Sequence, residues 1–150
     1  MHSRIYIYCS ILFTIFLLLL GISSCADSGK DPADIEITLP DSNLAYFDHI
    51  RPLFISKCAS QSGCHDLIDQ AAGLDLTDYT TIRSHTVYTE FGSEQLVISG
   101  NGTASFLYRI LLDNQGGRLR MPLSGPPYLN QNNTDGVKTW IDEGLAISGE

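Results

Sequence analysis

Three regimes of apolar and polar positions follow one another along the chain. Ile5 to Leu20 is an almost unbroken apolar run, and the residues after it turn polar at once. From Tyr46 the pattern becomes periodic. Tyr46, Phe47, Ile50, Leu53 and Phe54 fall three and four apart, one face of a helix. Pro52 interrupts that stripe, and proline belongs at a helix start, so the spacing predicts a short turn followed by a helix from Pro52 to about Lys57. Ala71 to Tyr79 then reads as a turn leading to a short helix around Ile82, capped by Thr77 or Asp78. Leu96-Val97-Ile98 reads as loop or a brief strand. Thr103 or Ser105 is positioned to cap a helix through Phe106, Leu107, Ile110 and Leu111, ended by Gly116-Gly117. Val137, Trp140, Ile141 and Leu145 form the stripe of a last helix running from an Asn130 cap to Leu145. Gly136 and Asn132-Asn133-Thr134 have poor helix propensity, so that helix depends on packing. The expected fold is mainly α.

The first two regimes predict an address rather than a domain. Arg4 precedes the apolar run, and Gly21-Ile22-Ser23-Ser24-Cys25 closes it with small residues before a cysteine. That end resembles a bacterial lipobox, which implies a signal peptide over residues 1–24 and acylation of Cys25. A run of 16 residues is shorter than the roughly 20 that a spanning helix needs, which argues against an uncleaved anchor. Residues 25–43 then read as the lipidated cysteine and a tether, polar, acidic and proline-interrupted, with Ile35, Ile37 and Leu39 its only apolar side chains from Ile35 onward. The folded domain is expected over 44–150. The expected location is the bacterial cell envelope, held at a membrane through the N-terminal lipid and facing the periplasm or cell surface.

Charge narrows the partners. The chain carries 9 basic and 17 acidic residues, a net charge of −8, and loss of Arg4 with the signal makes it more negative still. Nucleic acid is not expected, because neutralising phosphates needs a basic face. Of the 4 cysteines, Cys9 leaves with the signal and Cys25 becomes the anchor. Cys58 and Cys64 are the remaining thiols, in an oxidising compartment.

These two lie in Cys58-Ala59-Ser60-Gln61-Ser62-Gly63-Cys64-His65. Two thiols followed directly by an imidazole suggest a c-type haem attachment site, in which cysteines bond the vinyl groups and histidine ligates iron. Five residues separate the cysteines here, where the usual motif has two. On one continuous helix that spacing sets the thiols about 120° apart instead of about 60°. The extra residues are therefore expected to bulge, which Ser60, Ser62 and Gly63 tolerate. Met121, on the proline-rich stretch Arg120 to Tyr128, offers a thioether, a known partner to histidine on haem iron. His85 and His49 read more simply as surface residues and are held as reserve ligands. The rival reading is a haem-free, lipid-anchored interaction module with a Cys58–Cys64 disulfide, whose loop closure contributes about 2 kcal/mol. A zinc site lacks a fourth ligand at ordinary spacing, and no carboxylate pair or nucleophile–base set argues for an enzyme.

Taken in order, the segments resemble the c-type cytochromes, specifically the small planctomycete-type cytochrome c domains. The resemblance covers roughly residues 46–147. It rests on Ile50-Arg51-Pro52-Leu53-Phe54, Ser62-Gly63-Cys64-His65, Gly73-Leu74-Asp75-Leu76-Thr77-Asp78-Tyr79, Gly100 to Ser105 with Leu107, Arg120-Met121-Pro122 and Trp140-Ile141-Asp142-Glu143-Gly144. It implies a small cytochrome c-like helical domain wrapped around one haem c, with the first and last helices packed together. Thioethers at Cys58 and Cys64, proximal ligation by His65 and distal ligation by Met121 come with it. The implied activity is electron transfer between redox partner proteins rather than catalysis.

Overall fold

The computed structural model describes residues 37–59 and 64–148. The expected signal peptide, Cys25, the first part of the tether and the Ser60-Gln61-Ser62-Gly63 bulge lie outside the described residues.

Pro52 does not start the first helix. A π-helical turn, Tyr46–Ile50, runs into an α-helical segment, Arg51–Phe54, and then into a second π-helical turn, Ile55–Ala59. Together these form α1. The widened first turn carries the chain past Pro52, which then sits in the opening turn of the α-helical segment, where no N–H is required. Tyr46, Ile50, Leu53 and Phe54 are fully buried, as their spacing requires, whereas Phe47 stays half exposed.

Helix α2, Tyr79–Ser84, is capped by Asp78, whose carboxylate accepts the Thr81 N–H at 2.7 Å. After it comes the main departure from the sequence reading. Thr86–Thr89 (β1) and Gly92–Gln95 (β2) pair antiparallel, Thr86 against Gln95 and Thr89 against Gly92. The expectation of a mainly α, cytochrome c-like helical fold is thereby corrected: among the described residues the fold is mixed α/β, four helices with a two-stranded sheet. Thr-Val-Tyr-Thr is a β-branched and aromatic run that suits a pleated surface. Val87 turns into the core while Thr86 and Tyr88 face out.

Helix α3, Phe106–Leu112, ends before Gly116-Gly117. Ser105 stands at its N-cap position, yet its hydroxyl accepts from Ile98 N–H and donates to the Asn101 carbonyl, each at 2.8 Å. Helix α4, Gln131–Asp142, is capped by Asn130, which accepts the Asn133 N–H at 2.9 Å. The first and last helices do meet, with the Tyr46 and Trp140 rings 5.9 Å apart. Glu143 joins them further by accepting the N–H groups of Asn43 and Leu44 at 2.9 and 2.8 Å.

Packing explains the poor helix formers of α4. Leu39, which was expected in the tether, is buried against Gly136, where a Cβ would lie 2.4 Å from Leu39 Cδ1. The Leu39 backbone also pairs with the Asn132 side chain in both directions, at 2.8 and 3.0 Å. Gly102 has a similar reason, since a Cβ there would meet the Lys138 carbonyl oxygen at 2.8 Å. Its N–H donates to Asp142 at 2.6 Å, tying the loop before α3 to α4.

Candidate functional site

Between the end of α1, the hairpin, α3 and the segment after Arg118 lies a cavity of about 400 Å³. That volume falls within the roughly 300–1,000 Å³ typical of ligand sites. Its floor is apolar, with Phe54 from α1, Leu74 and Leu76 from the loop before α2, and Phe106, Leu107 and Ile110 from α3. Cys58, Cys64, His65 and Met121 all border it, and so does His85. His49 does not line it. Its Nδ1 instead accepts the N–H of Ala45, the residue just before its helix, at 3.0 Å.

The cysteine loop is closed by the backbone. His65 N–H donates to the Cys58 carbonyl at 3.1 Å, which brings the imidazole back to the end of α1 although six residues intervene. Two further bonds hold the loop on its far side, Ala71 N–H to Cys64 at 2.6 Å and Leu76 N–H to His65 at 2.9 Å. Cys58 is half-buried in the cavity wall and Cys64 stands at its exposed edge, as two thiols rather than a disulfide. Burial pushes the Cys58 thiol up to about 12, and the nearby Cys64 adds to this. Cys58 is therefore a neutral thiol at ordinary pH.

The ring of His65 is oriented. Its Nδ1 lies 3.3 Å from the Leu74 carbonyl oxygen, an acceptor only, so Nδ1 carries the proton and Nε2 keeps its lone pair. Burial holds the imidazole below its usual value, against the opposing effect of the Leu74 and Ala71 backbone groups. A half-buried, neutral imidazole fixed through one nitrogen is the arrangement typical of a metal ligand.

Met121 reaches the cavity by a different device. An α-helix leaves its last carbonyls without partners, and α3 lends two of them to the strand of chain that follows. Met121 N–H donates to Ile110 and the Arg120 guanidinium Nε to Leu111, both at 2.9 Å. Arg120 also lies over the Tyr128 ring, 4.0 Å from its centre. The Arg120-Met121 pair thus caps α3 and sets the thioether partly buried against the core.

Among the described residues, no three His, Cys, Asp or Glu side chains gather closely enough to hold a bare metal ion. A porphyrin makes a smaller demand, because its own nitrogens supply the equatorial ligands and only axial ones come from the chain. One oriented neutral imidazole, one thioether and two thiols around an apolar cavity fit that demand. Sequence reasoning missed Arg118, which also lines the cavity. Lying among polar residues after a glycine pair, it carried no motif that distinguished it from a surface arginine. Comparison of the chain with protein-family models, with curated proteins and with solved structures returned no match.

Proposed function

We propose that the domain binds one haem c and serves as a lipid-anchored, single-haem electron carrier of the bacterial cell envelope. One observation carries this reading. Cys58, Cys64 and His65, from one loop, and Met121, from a segment far along the chain, border a single apolar cavity. When bound, a haem supplies a one-electron iron couple whose potential responds to axial ligand and burial.

The residues of the chain would do the rest. His65 would hold the haem iron through Nε2, its ring oriented by the Leu74 carbonyl, and Met121 would offer its thioether from the cap of α3. Cys58 and Cys64 are the side chains available for thioethers. Phe54, Leu74, Phe106 and Ile110 would exclude water from the haem, which would favour its less charged, reduced state and raise the potential. With His65 and Met121 both holding the group, no open iron site would be left for a substrate, which would suit a carrier rather than an enzyme. Acylation at Cys25 would keep the domain among membrane-bound redox partners.

An absorption spectrum of the mature domain, co-expressed with haem attachment machinery, tests this together with a denaturing gel stained for haem. Sharp reduced bands and haem retained on the denatured chain are expected. Bands in solution without stain on the gel would mean ligation without thioethers. Haem in neither would overturn the reading in favour of a lipid-anchored interaction module closed by a Cys58–Cys64 disulfide.

A further inference from the structure

One wall of the cavity does not match its apolar floor. Arg118, His85 and Thr86 line it together, at the edge of β1. Arg118 is held in a tight turn, its N–H donating to Gln115 at 2.8 Å and its carbonyl accepting from Gln115 at 2.9 Å. One guanidinium nitrogen donates to the Tyr88 carbonyl at 2.8 Å, which leans the side chain against β1. Its Nε is shut off from solvent with no acceptor.

Arg109 has its Nε in the same state, but that guanidinium meets the Glu94 carboxylate. A guanidinium stays charged at any working pH, and a buried donor without a partner carries a desolvation penalty. The ion pairs among the described residues are Arg109 with Glu94 and Lys138 with Asp142, so no carboxylate of the described chain answers Arg118. His85 adds to the imbalance. Its ring makes no hydrogen bond among the described residues, and Arg118 is close enough for its charge to act on it. The wall therefore presents a guanidinium that no carboxylate of the described residues answers, beside a floor of Phe54, Leu74 and Phe106.

We infer that Arg118, assisted by His85, is a carboxylate-recognition site at one side of the cavity, so that its ligand has an apolar body and an acidic edge. This rests on the haem reading, in which a propionate supplies the carboxylate. A long-chain fatty acid shares the same chemistry, and the test separates the two.

The full chain, expressed without attachment machinery and kept in detergent, is titrated with haemin, with haemin dimethyl ester and with a fatty acid. Binding of the two haemins is read from the Soret band, and fatty acid binding from displacement of a fluorescent analogue. The wild-type chain is expected to prefer the diacid haemin over its diester by roughly 10- to 100-fold, the scale of a charge-assisted hydrogen bond. Arg118→Gln should bring that ratio close to one, and Arg118→Lys should leave it between the two. Taking the ratio within each chain cancels any general loosening of the cavity by the substitution. Equal affinity for diacid and diester in the wild type, or a preference that survives Arg118→Gln, overturns the inference and leaves the haem reading standing. Binding of neither haemin, with an Arg118-dependent fatty acid affinity, keeps the carboxylate site and overturns the haem reading. No binding of any of the three overturns both.

Discussion

His65 Nδ1 and the Leu74 carbonyl oxygen stand 3.3 Å apart across the closed cysteine loop. This contact decides which ring nitrogen faces the cavity, and it joins the Cys58–His65 segment to the Gly73–Tyr79 segment. The second segment is itself anchored to α1, because Tyr46 donates its hydroxyl to Leu76 at 3.0 Å and Arg51 donates to Thr77 at 3.1 Å. The imidazole is thus oriented by the core rather than by its own loop.

The first prediction concerns pH. His65 and His85 both titrate below the ordinary 6.5, burial being the first cause in each. Above that value both are neutral, folded or unfolded, and neither affects stability. Below it the unfolded chain takes up protons that the folded chain resists, so stability falls until the lowered native values are passed. Denaturant unfolding of the haem-free chain between about pH 7.5 and about pH 5 is expected to show this loss. His65→Gln with His85→Gln should flatten it, and an unchanged slope in the double variant would exclude these histidines as its source.

The second addresses the thioether. In the haem-loaded protein, Met121→Ala is expected to lower the reduction potential and open the iron to small ligands such as imidazole or cyanide. Potentiometry and ligand titration read both effects. An unchanged spectrum and potential would rule Met121 out as a ligand.

A third tests the close approach of Leu39 and Gly136. Gly136→Ala places a methyl 2.4 Å from Leu39 Cδ1. Overpacking of this kind costs about 1–3 kcal/mol, which outweighs the roughly 1 kcal/mol that alanine gains over glycine in a helix. Leu39→Ala should absorb much of the strain, so a double-mutant cycle is expected to be strongly non-additive. Additive effects would show that the two residues do not share this contact.

The fourth is local. Asp78 caps α2 through its bond to Thr81, and the Thr81 backbone and hydroxyl hold its carboxyl below the usual range. Asp78→Ala is expected to cost about 1 kcal/mol, whereas Asp78→Asn, which keeps an acceptor, should cost less. Equal losses in the two variants would count against capping as the mechanism.

The sequence by itself determined whatever depends on neighbours a few residues away. The stripes of α1, α3 and α4 are set by three- and four-residue spacing, and Asp78 and Asn130 cap because their side chains reach the N–H groups three positions on. Cys58, Cys64, His65 and Met121 were legible as chemistry, since thiol, imidazole and thioether are scarce and their types are telling.

Tertiary structure decided the rest. Leu39 looks like a tether residue until α4 offers a glycine for it to pack on. Thr86 to Gln95 becomes a hairpin only because Val87 has a core to enter, which a polar-looking run could not announce. Nothing in local spacing says that Met121 comes to the same cavity as His65. That meeting depends on the open carbonyls at the end of α3, which pull the chain back across the cavity. Arg118 was invisible for the same reason: an arginine is distinctive only once the fold has set it at the edge of an apolar cavity with no carboxylate beside it.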